Sequence, residues 1–278
     1  MTFAVFLWVL AAALLHAIWN AIVKTGGSKV TGMFMVALGN GVVGLCVVAT
    51  RDIPGADIWL WIIASGFIRM LYLVFLGYAY EHGDLSRVYP IARGAAPLFV
   101  LLVGGFFLAD VISRAELIGI LVLGFGILLM ARGALASGEN RRLVPFAIGS
   151  AMATAAYSIV DGIGARLSGD PIAFVGWALL ATALFYAPVA VHFKGVSVLR
   201  ADRSTWVAGA IAGVASYLAY SIVVWAMTKA PIALVTALRE TSILFAVLIG
   251  WLVFSERMDS GKALAALLIV GGAVLTRI

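Results

Sequence analysis

The sequence predicts an all-α polytopic membrane protein: ten transmembrane helices arranged as two inverted five-helix repeats. Three observations predict it. The 278 residues are 64% hydrophobic and only 12% charged, where soluble domains sit near 45–50% and about 25%. Apolar runs of about 18–25 residues, the length that crosses a bilayer core, recur along the whole chain. A shift of 146 residues, finally, lays part of the first half on the second.

The composition comes first because it limits everything else. A chain this apolar cannot cover itself with polar surface, so it needs lipid. Its net charge of +6 does not form a stripe with interleaved aromatics, so no nucleic-acid partner is expected. Most basic residues sit in short loops, where anionic head groups meet them. The single cysteine, Cys46, lies in an apolar run; alone it closes no disulfide and builds no cysteine metal site. The first apolar stretch lacks the basic region of a signal peptide and reads as a retained span.

The spans fall at roughly 2–23, 32–50, 58–80, 85–109, 115–132, 143–164, 172–193, 205–228, 231–254 and 261–277. Short polar breaks separate them, among them Lys24 to Lys29, Arg51 to Gly55 and Glu81 to Asp84. The longest, Arg132 to Arg142, falls near the middle and leaves no room for a soluble domain. In lipid every backbone polar group must be satisfied internally, which leaves helices or closed barrels. The runs lack the alternation of barrel strands, so they are helices.

The repeat gives the helices an order. Arg93 falls on Arg239, Leu98-Phe99 on Leu244-Phe245, Leu102 on Leu248, Gly104 on Gly250 and Gly126 on Gly272. Asp110 falls on Glu256 at the following turn. The arginine match carries the most weight, because a charge is rare in lipid-like sequence. The halves, 1–138 and 139–278, each hold five spans. Five is odd, so the second half enters from the opposite side and the pair is inverted. Secondary transporters use this layout for alternating access around a midplane site.

Two groups of segments resemble a known family. In the first half they are Leu15-His16-Ala17-Ile18-Trp19-Asn20-Ala21 and Gly83-Asp84-Leu85-Ser86-Arg87-Val88-Tyr89-Pro90-Ile91-Ala92-Arg93. In the second they are Ala230-Pro231-Ile232-Ala233 and Gly250 through Phe254-Ser255-Glu256-Arg257. With ten short-looped spans, these resemble the drug/metabolite transporter superfamily, EamA-type branch. The first half departs from the Glu-Arg turn, having Asp110-Val111 there. Within the family the chain is similar to the YddG-like exporters of aromatic and other neutral amino acids. Small multidrug resistance relatives carry a proton-coupling glutamate in their first helix. Span 1 has none, so that mechanism does not transfer.

Charged residues inside spans are costly and mark function or internal pairing. Arg69 lies at the middle of span 3, and Arg93 and Arg239 about two turns into spans 4 and 9. Each either pairs internally or grips a substrate carboxylate with two parallel hydrogen bonds. Asp161 and Glu240 are the carboxylates within spans, although span 6 could end before Asp161 and leave it at the interface. His16, Trp19 and Asn20 share one helix face. That face reads as substrate contact or as hydrogen-bonded packing. Tyr157 shares a face with Asp161 in span 6.

Tyr217 and Tyr220 sit deep in span 8 and read as a cavity wall. Tyr72, Tyr78 and Tyr80 line span 3, the last two near its end, where aromatics often anchor at the interface. Gly209 and Gly213 form a GxxxG that fits close helix packing. Pro90, Pro97, Pro188 and Pro231 loosen local helix bonding. The expected substrate-binding set is therefore His16, Trp19, Asn20, Tyr78, Arg93, Tyr157, Asp161, Tyr217, Tyr220, Arg239 and Glu240.

Rival readings leave weaker marks. There is no His-Glu-x-x-His, no nucleophile–base pairing and no phosphate cradle, so no enzyme, metal or cofactor is expected. Energy would come from a proton gradient, from exchange or from the substrate's own gradient, with His16, Asp161 and Glu240 as candidate titrating groups. Orientation has two opposed indications. Five loop Lys/Arg lie on the side of the termini and eleven on the other, which by the positive-inside rule puts the termini outside. The resemblance implies cytoplasmic termini.

The chain reads as a secondary transporter, multi-pass in the inner (plasma) membrane and acting as a monomer. It would export small metabolites, most of all aromatic or neutral amino acids, by alternating access. A multidrug exporter of aromatic cations and a flippase for lipids or lipid-linked sugars are the alternatives. Its partners would be a small-molecule substrate, membrane lipid and, as coupling ions, protons.

Overall fold

A computed structural model of the chain describes residues 1–24, 29–82, 93–135, 143–255 and 258–277. Eleven helices lie within these bounds: α1 Phe3–Lys24, α2 Lys29–Val48, α3 Trp59–His82, α4 Ala96–Phe107, α5 Arg114–Leu135, α6 Leu143–Ser168, α7 Pro171–Lys194, α8 Arg203–Met227, α9 Ile232–Arg239, α10 Ser242–Phe254 and α11 Ser260–Leu275. A short 3-10 turn, Val196–Leu199, follows α7. No strand occurs among the described residues. Seven segments are long and apolar enough to cross a membrane, α9 and α10 counting as one, and α4 and α11 are shorter apolar helices. With α5 they account for the ten expected spans.

Span 9 departs from the expectation. The sequence reads as one run over 231–254, but the helix breaks at Glu240 and Thr241. The described part of span 4 breaks at the matching place. Arg93 and Gly94 are helical, Ala95 is not, and α4 starts at Ala96. Adding the repeat shift carries Ala95 onto Thr241. Of the two repeat-related arginines, Arg239 thus ends its helical segment and Arg93 stands one residue before the end of its own, each at an interruption in the bundle. Non-helical backbone at membrane depth is tolerated where it is buried in protein or lines a cavity.

Span 6 runs further than expected, through α6 to Ser168, so Asp161 is fully buried within the helix rather than at an interface. Pro97 and Pro231 open α4 and α9 instead of loosening them. They sit where an N–H has no helical partner in any case. Asp170 caps α7 by accepting from the amides of Ile172 and Ala173. The motif over 83–92 with Pro90, the side chain of Tyr80, the linker over 136–142 and the pair Glu256-Arg257 lie outside the description.

The packing is two-fold in character. The repeat pairs α1 with α6, α2 with α7, α3 with α8, α4 with α9–α10 and α5 with α11. In contact, α3 lies on α6 as α1 lies on α8. Helix α2 packs on α8 as α7 packs on α3, and α2·α7 and α5·α11 are matched across the halves. Most large contacts thus join one half to the other. The GxxxG of α8 makes one of the close approaches between the halves. A Cβ on Gly213 would stand 2.8 Å from the Cα of Gly39 on α2, so a side chain at Gly213 would push the two backbones apart. Elsewhere the outer faces are apolar and exposed, as at Phe106, Phe107, Leu252 and Leu267, which suits lipid.

Candidate functional site

A cavity lies where the halves meet, with about 1030 Å³ of empty space, mouth included. Its walls come from both halves: α1, α2 and α3 with Arg93 from the first, and α6, α7, α8 and α9 from the second. Let the near face be the one where α1 begins. The lining runs from mid-helix, at Arg69, Tyr157, Ser216 and Arg239, toward Val23, Met33 and Leu76. These last lie near the far-face ends of α1, α2 and α3.

Arg69 forms the first of two charge groups beneath this cavity. Its Nη2 donates to Asp161 Oδ2 at 2.6 Å, and Tyr220 Oη donates to the same oxygen at 2.5 Å. The guanidinium carbon lies 4.2 Å from the ring centre of Tyr157 and 3.9 Å from that of Tyr220. A cation between two desolvated rings gains from both quadrupoles. Arg69 thus uses both tyrosine faces and the carboxylate at once.

Glu240 organises the second group. Arg93 Nε donates to its Oε2 at 2.8 Å. Arg239 donates to its Oε1 from Nε at 3.2 Å and from Nη2 at 3.0 Å. The two arginines that the repeat relates, one from each half, share a single carboxylate. All three residues are at most 2% exposed. Both arginines line the cavity, whereas Asp161 and Glu240 stand behind the lining.

On α1, Trp19 Nε1 donates to His16 Nδ1 at 3.2 Å, and Asn20 Nδ2 donates to the His16 carbonyl at 2.7 Å. A ring nitrogen that accepts carries no proton, so this imidazole is neutral. The face is hydrogen-bonded within its own helix and also lines the cavity. The two readings of that face hold together.

Of the other expected site residues, Tyr157, Tyr220, Arg93 and Arg239 line the same space. Tyr217 does not. It is buried in the hydrophobic core, with its hydroxyl turned toward Gly176. Tyr78 is elsewhere too, stacked on Phe146 at 5.5 Å and edge-on to Phe193 at 5.9 Å, beside a separate groove on α3 and α7. Helical spacing told which residues share a face but not which neighbour that face meets. Besides aliphatic residues and Met33, the lining residues outside the expected set are Arg69, Tyr72, Asn40, Thr182 and Ser216. Its mid-span charge marks Arg69 in the sequence as an internal pair or a carboxylate grip, although it is not in the expected set. Asn40, whose Nδ2 donates to Ser216 Oγ at 3.4 Å, is the polar residue in an otherwise apolar part of span 2 and was a usable signal.

The near face is tied across the halves. Arg166, near the end of α6, donates to Asp110 Oδ1 at 2.8 Å, to the Met227 carbonyl at 2.8 Å and to the Ala230 carbonyl at 3.0 Å. Asp110 Oδ2 also accepts from the Ile232 amide at 2.8 Å, at the start of α9. Arg51 at the end of α2 meets Asp170 at 3.0 Å. These bonds hold the near-face helix ends together below the cavity floor.

The EamA-like transporter family model matches residues 3–132 and again residues 142–278. A solved crystal structure of a protein aligns over 99% of this chain and 98% of its own. Its TM-score is 0.76 at 19% identity, a likeness of fold. No curated protein matches the chain in sequence.

Proposed function

Because the chain belongs to the EamA-like transporter family, we propose that it carries small amphipathic metabolites, aromatic and other neutral amino acids foremost, out of the cell across the inner (plasma) membrane by alternating access. The coarser statement, a multi-pass membrane transporter of small molecules, follows from the family itself. What supports the finer reading is the central cavity. It takes walls from both halves, with flat apolar rings beside guanidinium groups. Rings suit an apolar side chain, and arginine suits a carboxylate.

The halves, taken as 1–138 and 139–278, would rock about the shared Glu240. The far-face lining and the near-face ties match one end state of that motion. In this reading Trp19, Tyr157 and Tyr220 form the apolar wall, and Asn20, Arg93 and Arg239 orient the polar end. Asp161 and Glu240 hold the arginines rather than the substrate. Export of aromatic cations has less support, because both span carboxylates are already occupied by arginines.

The experiment is flux of labelled amino acids through purified protein in liposomes, with and without a pH gradient. The wild type should give saturable flux. Trp19→Ala and Arg239→Ala, at matched protein, should lower it by about 10–100-fold, the equivalent of one charge-assisted contact of about 1.5–3 kcal/mol. Equal rates in wild type and both variants would overturn the assignment.

A further inference from the structure

We infer that Asn40 and Thr182 form the subsite for the substrate's ammonium group. This rests on the carrier reading above and places the half of a neutral amino acid that the arginines do not hold. Guanidinium groups suit a carboxylate and repel an ammonium. The ammonium therefore needs a wall that has acceptors and no cation. The lining residues from α2 and α7 provide one. None of them is charged, and Asn40 and Thr182 are the polar ones among them.

Helix packing brings these two together. A Cβ on Gly41 of α2 would stand 2.5 Å from the Cβ of Ala183 on α7. Asn40 and Thr182 each precede one of these close residues, and both line the cavity. Asn40 Nδ2 donates to Ser216 Oγ at 3.4 Å. Its Oδ1 is shielded from water and accepts no hydrogen bond among the described residues. The terminal torsion of an amide is broad, so this oxygen can turn to a donor in the cavity. Thr182 donates its hydroxyl proton to the Ala178 carbonyl at 2.8 Å, which leaves its oxygen as an acceptor.

The same wall adjoins the arginine side. Ser216, which holds the Asn40 amide, lies one turn before Tyr220 on α8, and such neighbours stand about 5–6 Å apart. The guanidinium carbon of Arg69 lies 3.9 Å from the Tyr220 ring centre. Neutral acceptors and guanidinium groups thus flank one helical turn. In an α-amino acid the ammonium and the carboxylate share one carbon, and each is the other's counter-charge. Neutral oxygens then suffice for the ammonium, and an unmet buried acceptor gains the hydrogen bond it lacks. An amine without a carboxylate brings no counter-charge of its own.

The test uses full-length protein in detergent and calorimetric binding of L-phenylalanine, 3-phenylpropanoate and phenethylamine. The wild type should bind L-phenylalanine at least about tenfold more tightly than either of the others, the worth of one hydrogen bond to a charged group. Asn40→Leu removes the acceptor. It should weaken L-phenylalanine by about tenfold and leave 3-phenylpropanoate, which has no ammonium, within about twofold. Thr182→Val keeps the shape of its side chain and should weaken L-phenylalanine alone by at least about threefold. Asn40→Asp puts a charge at the same place and should strengthen phenethylamine by about tenfold. Equal losses for L-phenylalanine and 3-phenylpropanoate, or no loss for L-phenylalanine in either neutral variant, overturn the inference and leave the carrier reading standing. Absence of binding by all three probes in the wild type overturns both. The Thr182→Val comparison decides the matter even where Asn40→Leu does not fold.

Discussion

Glu240→Gln should destabilise the protein by about 3–5 kcal/mol, the cost of breaking a buried ion pair from one side. Glutamine keeps the shape but removes the charge that two guanidinium groups share at 2.8 and 3.0 Å. Neither arginine can turn to water, since each is 2% exposed. Thermal unfolding in detergent should fall by about 10 °C or more, using about 2–4 °C per kcal/mol for a chain of this order of size. Arg93→Met is the informative control. It leaves Arg239 and Glu240 as a one-to-one pair, and should cost clearly less than Glu240→Gln. Equal costs would show that Glu240 does not serve both arginines.

Asp161→Ala is the second large effect. It removes the acceptor of Arg69 Nη2 and of the Tyr220 hydroxyl together. A buried guanidinium then remains between two rings with no counter-charge, and the loss should again be about 3–5 kcal/mol. The double variant Arg69→Met with Asp161→Leu removes both charges and keeps the volume. It should recover most of the stability, since apolar replacement of a whole buried pair is often neutral or better. Transport should not recover, because a cavity arginine is gone. A double variant that transports normally would place Arg69 outside the carrier site.

Much of the architecture was legible because the bilayer makes sequence simple. Span length, polar breaks and the odd number of spans per half follow from hydropathy and counting. The Arg93–Arg239 match stood out because charge is scarce in such runs. The break at Glu240–Thr241 does leave a mark, the polar run Arg239-Glu240-Thr241-Ser242 inside an otherwise apolar stretch, but hydropathy over 231–254 still reads as one span, and whether a helix is interrupted there depends on its neighbours. The pairing of Arg93 with Glu240 spans 147 residues and that of Arg69 with Asp161 spans 92. Separations of that size are set by tertiary packing, which one sequence does not reveal. The same limit explains Tyr217. Its spacing puts it near Tyr220 on one helix, but α8 turns that part of its surface to the core.

The central claim is that one cavity, shared by two inverted halves, serves both faces in turn. Two-sided accessibility tests it most directly. The single cysteine, Cys46, is exposed on α2 and can be replaced by alanine, after which Ser216→Cys places one thiol on the cavity wall. A membrane-impermeant thiol reagent is then applied to right-side-out cells and to inverted vesicles, with and without transported substrate. The account predicts labelling from the far face at rest, and from the near face as well once substrate drives turnover and the Asp110–Arg166 tie opens. Labelling from one face only, while the same protein continues to transport, would contradict it.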